Sequence, residues 1–258
     1  MDLELAGKSA LITGGSKGIG LAVGEAFAAQ GCNIILVSRN AETLAKARRQ
    51  VLAKANVGVE VHALDLSGRG SQAALANEFP DIDILVNNAG AIPHGNILDI
   101  DEARWRDAWE LKVFGYINLC REYFRRMVAR KSGVIVNIIG LAGERPMFDY
   151  IAGTTGNAAL MAFTRALGSK SVDSNVRVMA INPPATATDR MVGLARTRAE
   201  KSLGDPERWR ETLQGLPFGR PATPEEIADM AVFLASARAS YMSGTVVHVD
   251  AGSASRNG

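Results

Sequence analysis

The stretch T-G-G-S-K-G-I-G, residues 13 to 20, follows the β-branched run S-A-L-I-T and opens the helical pattern L-A-V-G-E-A-F-A-A-Q. No other feature restricts the chain as much, because it demands a strand, a tight turn and a helix in immediate succession. Gly14, Gly18 and Gly20 allow that turn and bring a helix N-terminus close to an anion, where unpaired N–H groups and the dipole favour negative charge. The spacing is G-x-x-x-G-x-G and not the commoner G-x-G-x-x-G, so the position between strand and helix carries the signal. Glycines that serve only helix-to-sheet packing are the bland alternative. As a phosphate cradle, the turn is expected to contact a dinucleotide through Gly14, Ser16, Lys17, Gly18, Ile19 and Gly20.

Six more short runs extend the pattern: I-I-L-V-S (34 to 38), V-E-V-H-A-L (59 to 64), I-L-V-N (84 to 87), V-I-V-N-I-I (134 to 139), V-R-V-M-A-I (176 to 181) and T-V-V-H-V (245 to 249). They are nearly all apolar instead of alternating, which suits parallel strands covered on both faces. Crossover helices fit between them, as at 18–30, 41–54 and 157–169. The expected fold is α/β: a Rossmann-like, doubly wound, seven-stranded parallel sheet flanked by helices in a single domain, 1–258. A chain of 258 residues with 47% apolar content can bury such a core. The long interval after Pro183 lacks a strand, and its polar helical part, 185–216, reads as a substrate lid.

Charge excludes several partners. The 29 basic and 27 acidic residues are mixed along the chain, so nucleic acid and membrane surfaces are not expected. No apolar run approaches the ~18 residues of a membrane span, and the N-terminus has no secretory pattern, which points to the cytoplasm. Cys32 and Cys120 read as small buried thiols, and no His/Asp/Glu cluster has metal-site spacing. The second strand ends in V-S-R-N, with Arg39 where an NAD site carries an acid for the ribose 2′-hydroxyl. Arg39 can fork onto a 2′-phosphate and Lys17 can add a point charge, so NADP is expected over NAD.

These motifs, with L-D-L at 64 to 66, N-N-A-G at 87 to 90, N-P-P-A-T-A-T at 182 to 188 and the ending G-R-P-A-T-P-E-E-I to S-G-T-V-V-H-V-D-A-G, resemble the short-chain dehydrogenase/reductase family over essentially the whole chain. The resemblance implies cofactor contacts at Asp65, Leu66, Asn88, Ala89, Gly90, Pro183, Thr186 and Thr188, with Thr188 holding the nicotinamide amide. It also implies a homo-oligomer, a tetramer, and a small carbonyl or alcohol substrate. Pro184 and Ala251 stand where the family carries glycine.

The family's reaction residues are another matter. Their serine, tyrosine and lysine align with Gly140, Gly153 and Asn157, and their helical asparagine aligns with Lys112. The asparagine and the lysine are thus exchanged, which a decaying enzyme has no reason to do. Tyr150, three residues before Gly153, is expected to swing into the vacated volume and act as acid/base, with Lys112 lowering its pKa and Asn157 bonding the ribose or a relay water. Each has a plain structural alternative: a packing ring, a snorkelling cation, a helix-face hydrogen bonder. His94 in A-I-P-H-G-N and Arg145 in G-E-R-P-M-F are weaker candidates near the substrate entrance. The lid holds six basic and five acidic residues, too even a balance to name an anionic substrate. Three functions remain open: an NADP-dependent carbonyl/alcohol oxidoreductase with a remodelled site, a catalytically inactive dinucleotide-binding regulatory protein, and a non-redox lyase, epimerase or dehalogenase.

Overall fold

The computed structural model describes residues 2–256. In chain order the elements are β1 (Ser9–Thr13), α1 (Gly18–Ala29), β2 (Asn33–Ser38), α2 (Ala41–Lys54), β3 (Val59–Ala63), α3 (Ser71–Glu78), β4 (Ile84–Asn87), α4 (Glu102–Trp109), α5 (Gly115–Arg130), β5 (Gly133–Ile138), α6 (Ile151–Ser171), β6 (Val176–Asn182), α7 (Asp189–Leu203), α8 (Pro224–Ala235) and β7 (Val246–His248). All seven expected strands are present. They form one parallel sheet in the order β3-β2-β1-β4-β5-β6-β7.

Strand order reverses between β1 and β4, and a crevice opens there at the carboxyl ends of the strands, where doubly wound sheets bind ligands. Because side chains alternate across a strand, each strand feeds two cores. Ala10, Ile12, Ile34 and Leu36 join α1 and α8 through Val23, Phe27, Ile227 and Ala231 on one face. Leu11, Ile35, Leu85 and Ile135 join α3 and α5 through Leu75, Leu119 and Tyr123 on the other. Local chemistry fixes the helix starts: Asn40 and Asp101 accept the Thr43 and Arg104 N–H groups at 2.8 Å, and Thr223 and Glu226 form a capping box behind Pro224.

Two departures from the sequence reading shape the site, and a third observation explains a glycine of the family. Helix α6 begins at Ile151, not near 157, so Tyr150 is its N-cap, at φ −140° and ψ 40°. Tyr150 and Gly153 therefore do not share a helix face as i and i+3 residues; the ring reaches Gly153 by folding back over the first turn. Between α4 and α5 the helix widens into a π turn, Glu110–Phe114, and Lys112 lies within it. Finally, Ala251 adopts a left-handed φ of 51°, which accounts for the glycine that the family places there. Both cysteines are buried. No helix among the described residues is long and apolar enough to cross a membrane.

Candidate active site

A cleft of about 1330 Å³ runs from the glycine turn, past the ends of β4, β5 and β6, to α7. At its glycine-turn end, Lys17 is the N-cap of α1 but no side chain caps the helix, so the first-turn N–H groups remain open to an anion. Gly14, Ser16, Lys17, Gly18, Ile19 and Arg39 line this end. Ser16 donates to the Ser38 hydroxyl at 3.0 Å, tying the turn to the end of β2. Among the described residues neither Lys17 nor Arg39 forms an ion pair. An uncapped helix start with two unpaired cations fits a phosphorylated dinucleotide.

Gly20 and Asp65 are not among the residues that line the cleft. Gly20 is buried under the turn against Gly14 and Asn88, a packing position. Asp65 is exposed beside the cleft, and its Oδ1 accepts the Ser67 N–H at 2.9 Å and hydroxyl at 2.7 Å, which together hold its carboxyl below the usual range. Leu66 does line the cleft, as do Asn88, Ala89, Gly90, Pro183, Thr186 and Thr188. The N-N-A-G turn is anchored to β1: Thr13 Oγ1 accepts from the Asn88 and Ala89 N–H groups at 2.9 and 3.0 Å, while Asn88 Nδ2 donates to the Thr13 carbonyl at 3.0 Å. Thr188 caps α7, accepting the Met191 N–H at 3.3 Å, and its methyl faces Gly18. The base of segment 185–216 is thus fixed to the cofactor end.

At the other end the glycines of the aligned catalytic positions are filled by neighbouring side chains. A Cβ on Gly153 would overlap Tyr150 Cε1 and Cζ and lie 2.6 Å from Cδ1, so the Tyr150 ring holds the space of any side chain at 153. Likewise a Cβ on Gly140, whose φ is 141°, would lie 2.9 Å from Asn157 Nδ2. A Cβ on Gly90 would lie 2.6 Å from Lys112 Cδ. Each glycine makes room for one of the three residues that the sequence singled out.

Their bonding differs from expectation. Lys112, 7% exposed, points its ammonium at Tyr116 Oη, 2.8 Å away, and the Ile138 carbonyl, 2.7 Å away. Tyr116 Oη also donates to that carbonyl at 2.9 Å. Burial and the nearby charge of Arg190 push Lys112 down to about 7. Both of its bonds thus go to Tyr116 and Ile138, and none goes to Tyr150. The cation beside Tyr150 is Arg190, which donates to the Gly90 carbonyl at 2.6 Å and the Ile92 carbonyl at 2.9 Å. Burial raises the Tyr150 phenol, and Arg190 beside it pulls the other way. Asn157, 4% exposed, lines the cleft and donates to the Gly140 carbonyl at 3.3 Å, which engages one N–H of its amide.

The sequence reading named neither Arg190 nor Tyr116: Arg190 acts across the fold, and Tyr116, though four residues from Lys112, takes its place only through the Ile138 carbonyl that both bond. His94 stacks on Tyr150, with ring centroids 4.5 Å apart, and burial followed by Arg198 and Arg190 lowers its pKa. Loop and helix meet here through backbone bonds, Gly95 N–H to the Asp149 carbonyl at 2.8 Å and Ile151 N–H to the Gly95 carbonyl at 3.3 Å. Arg145 also borders the cleft and donates to the Ser253 carbonyl at 2.7 Å. No group of three or more His, Cys, Asp or Glu among the described residues could hold a metal.

Comparison with known proteins bears on the family and the fold. A family model described as enoyl-(acyl carrier protein) reductase matches residues 14–254. A 3-oxoacyl-(acyl-carrier-protein) reductase of Chlamydia muridarum is 33% identical over 98% of this chain and 100% of its own length. Galactitol 2-dehydrogenase (L-tagatose-forming) of Cereibacter sphaeroides is 36% identical over 96% of both chains. The L-sorbose reductase of Gluconobacter frateurii, solved with NADPH and L-sorbose, superposes with a TM-score of 0.90 at 33% identity and full coverage of both chains. With this sheet order, this glycine turn and relatives matched end to end, the chain belongs to the short-chain dehydrogenase/reductase family.

Proposed function

We propose that this protein is an NADP-dependent oxidoreductase that interconverts a carbonyl and an alcohol through a remodelled site, with Tyr150 as its acid/base. The observation that carries the reading is the seat of Tyr150: its ring rests on Gly153, the position of the family's tyrosine, inside the cleft that begins at the glycine turn. Lys17 and Arg39, with no acid after β2, favour NADP over NAD, and the sorbose reductase solved with NADPH supports the same choice.

Bound in the cleft, NADPH supplies the hydride. Tyr150 gives its proton to the carbonyl oxygen as the alcohol forms, and takes one back in the reverse direction. Burial keeps the phenol protonated at neutral pH, so it stands ready as an acid for reduction. Oxidation needs the phenolate, which Arg190 favours; the oxidation rate therefore rises on the alkaline side. Lys112 and Asn157 act as positioning residues: one holds the Ile138 carbonyl and the other the Gly140 carbonyl, on the strand end that faces the substrate. Segment 185–216 serves as the lid. Assembly as a homotetramer in the cytoplasm belongs to the same reading, and an apolar groove of Ile117, Phe124, Phe163 and Leu167 between α5 and α6 supports the assembly. Light scattering tests it; a monomer at micromolar concentration removes that part.

One observation favours a second reading. A buried amine near pKa 7 beside a carbonyl-binding cleft is what Schiff-base chemistry uses, and Lys112 is such an amine. NADPH consumption over a broad panel of aldehydes and ketones separates the cases. Consumption without borohydride-trapped substrate on Lys112 supports the oxidoreductase. Trapping on Lys112 without NADPH consumption supports the non-redox lyase, and neither result leaves a dinucleotide-binding regulatory protein.

A further inference from the structure

We infer that the substrate carries a carboxylate or phosphate group, which Arg198 and Lys201 of α7 receive. The inference deepens the carbonyl–alcohol reading and relies on it for the location of the reacting carbon near Tyr150. In the sequence, segment 186–216 has six cations and five acids, a balance that names no ligand. Folding sorts them. Arg190, Leu194, Thr197, Arg198 and Lys201 line the cleft, at the spacing i, i+4, i+7, i+8 and i+11 of a single helix face. Three of the six cations thus border the cleft, Arg198 and Lys201 with exposed side chains, while Asp189 is the only acid of the segment on the cleft wall.

Pairing follows the same division. On the outer side Arg196 meets Glu207 at 3.2 Å, and Arg208 meets Glu211 at 2.7 Å. Among the described residues, neither Arg198 nor Lys201 has a carboxylate partner. Acids on the facing wall do not supply one: Asp99 accepts the Asn96 N–H at 3.1 Å, and Asp149 sits beside His94. Arg198 lies close enough to His94 to oppose its protonation, which places the cation on the Tyr150 side of the cleft. Cofactor phosphates do not account for the stripe, because the α1 N-terminus, Lys17 and Arg39 receive them at the other end. Unpaired like charges along one wall repel each other and concentrate an anion in the space they face.

The test uses the full chain saturated with NADPH, so that every phosphate site of the cofactor is already filled. Cofactor affinity is measured first for wild type and each variant; its loss counts against the cofactor reading and not against the anion site. Inorganic phosphate and malonate are then titrated separately by calorimetry. Wild type should bind at least one of them, and the tighter of the two tells phosphate from carboxylate. Arg198→Met and Lys201→Met should each weaken that binding about tenfold, the worth of one charge-assisted hydrogen bond, and Arg196→Met should leave it unchanged. Binding should also fall with ionic strength. No saturable binding of either anion, or equal losses in all three variants, overturns the proposal.

Discussion

Replacing Lys112 by Met should make the protein more stable at pH 7 and remove a pH dependence that the wild type carries. An ordinary lysine titrates near 10.5, while Lys112 in the fold titrates near 7 because burial and Arg190 disfavour its charge. Between those values the unfolded chain binds a proton that the folded chain lacks. Stability therefore rises with pH across roughly 7 to 10.5 and is lost as pH falls through 7. At about 1.4 kcal/mol per unit, the full span is on the order of 3–5 kcal/mol, reduced by the two acceptors that favour the ammonium. Met keeps the length of the stem that packs on Gly90, and Tyr116 still donates to the Ile138 carbonyl, so no buried acceptor is orphaned. The assay is urea unfolding of wild type and Lys112→Met at pH 7, 8 and 9. All other titrations are common to both chains, so the wild-type slope should exceed the variant's by about 1 kcal/mol per pH unit. Parallel slopes would show that Lys112 stays charged in the fold and would refute the reasoning.

Three further outcomes follow from the same geometry. Arg39→Ala should cost roughly 1.5–3 kcal/mol of NADP binding and leave NAD unchanged in paired titrations, since only the 2′-phosphate loses a partner; equal losses reject the assignment. Gly153→Ala places a methyl inside the Tyr150 ring and must expel it. Turnover should then fall at least ~10²-fold with NADP affinity intact, although Ala is the better helix former by about 1 kcal/mol. Ala251→Gly should raise the urea midpoint by the equivalent of about 1 kcal/mol, because Ala251 has a left-handed φ of 51°.

What could be read from the sequence was local. Apolar runs of four to six residues placed all seven strands, and the glycine turn with the N-N-A-G segment placed one end of the cleft, because period, turn chemistry and helix start are properties of neighbours in the chain. Aligning Gly140, Gly153, Asn157 and Lys112 located the departures, yet the partners stayed hidden. Lys112 lies in the π turn and bonds to a tyrosine four residues on and to a carbonyl on β5 that only the fold brings near. Arg190 reaches the Gly90 carbonyl across one hundred residues of chain, and composition had no means of showing that α7 sets its one paired cation, Arg196, away from the cleft and its unpaired ones beside it. Helix α6 began early because Tyr150 and the Gly95 loop pair there through backbone bonds, a contact that no helix-start signal encodes.

The most direct measurement is turnover of Tyr150→Phe with a carbonyl substrate that wild type reduces, alongside the NADP dissociation constant. Removing only the hydroxyl keeps the ring on Gly153 and against His94, so the fold and the cofactor end should be unaffected. With Tyr150 as the proton donor, kcat should fall at least ~10²-fold and NADP binding should not change. Full turnover in Tyr150→Phe contradicts the assignment and moves the acid/base role to another group.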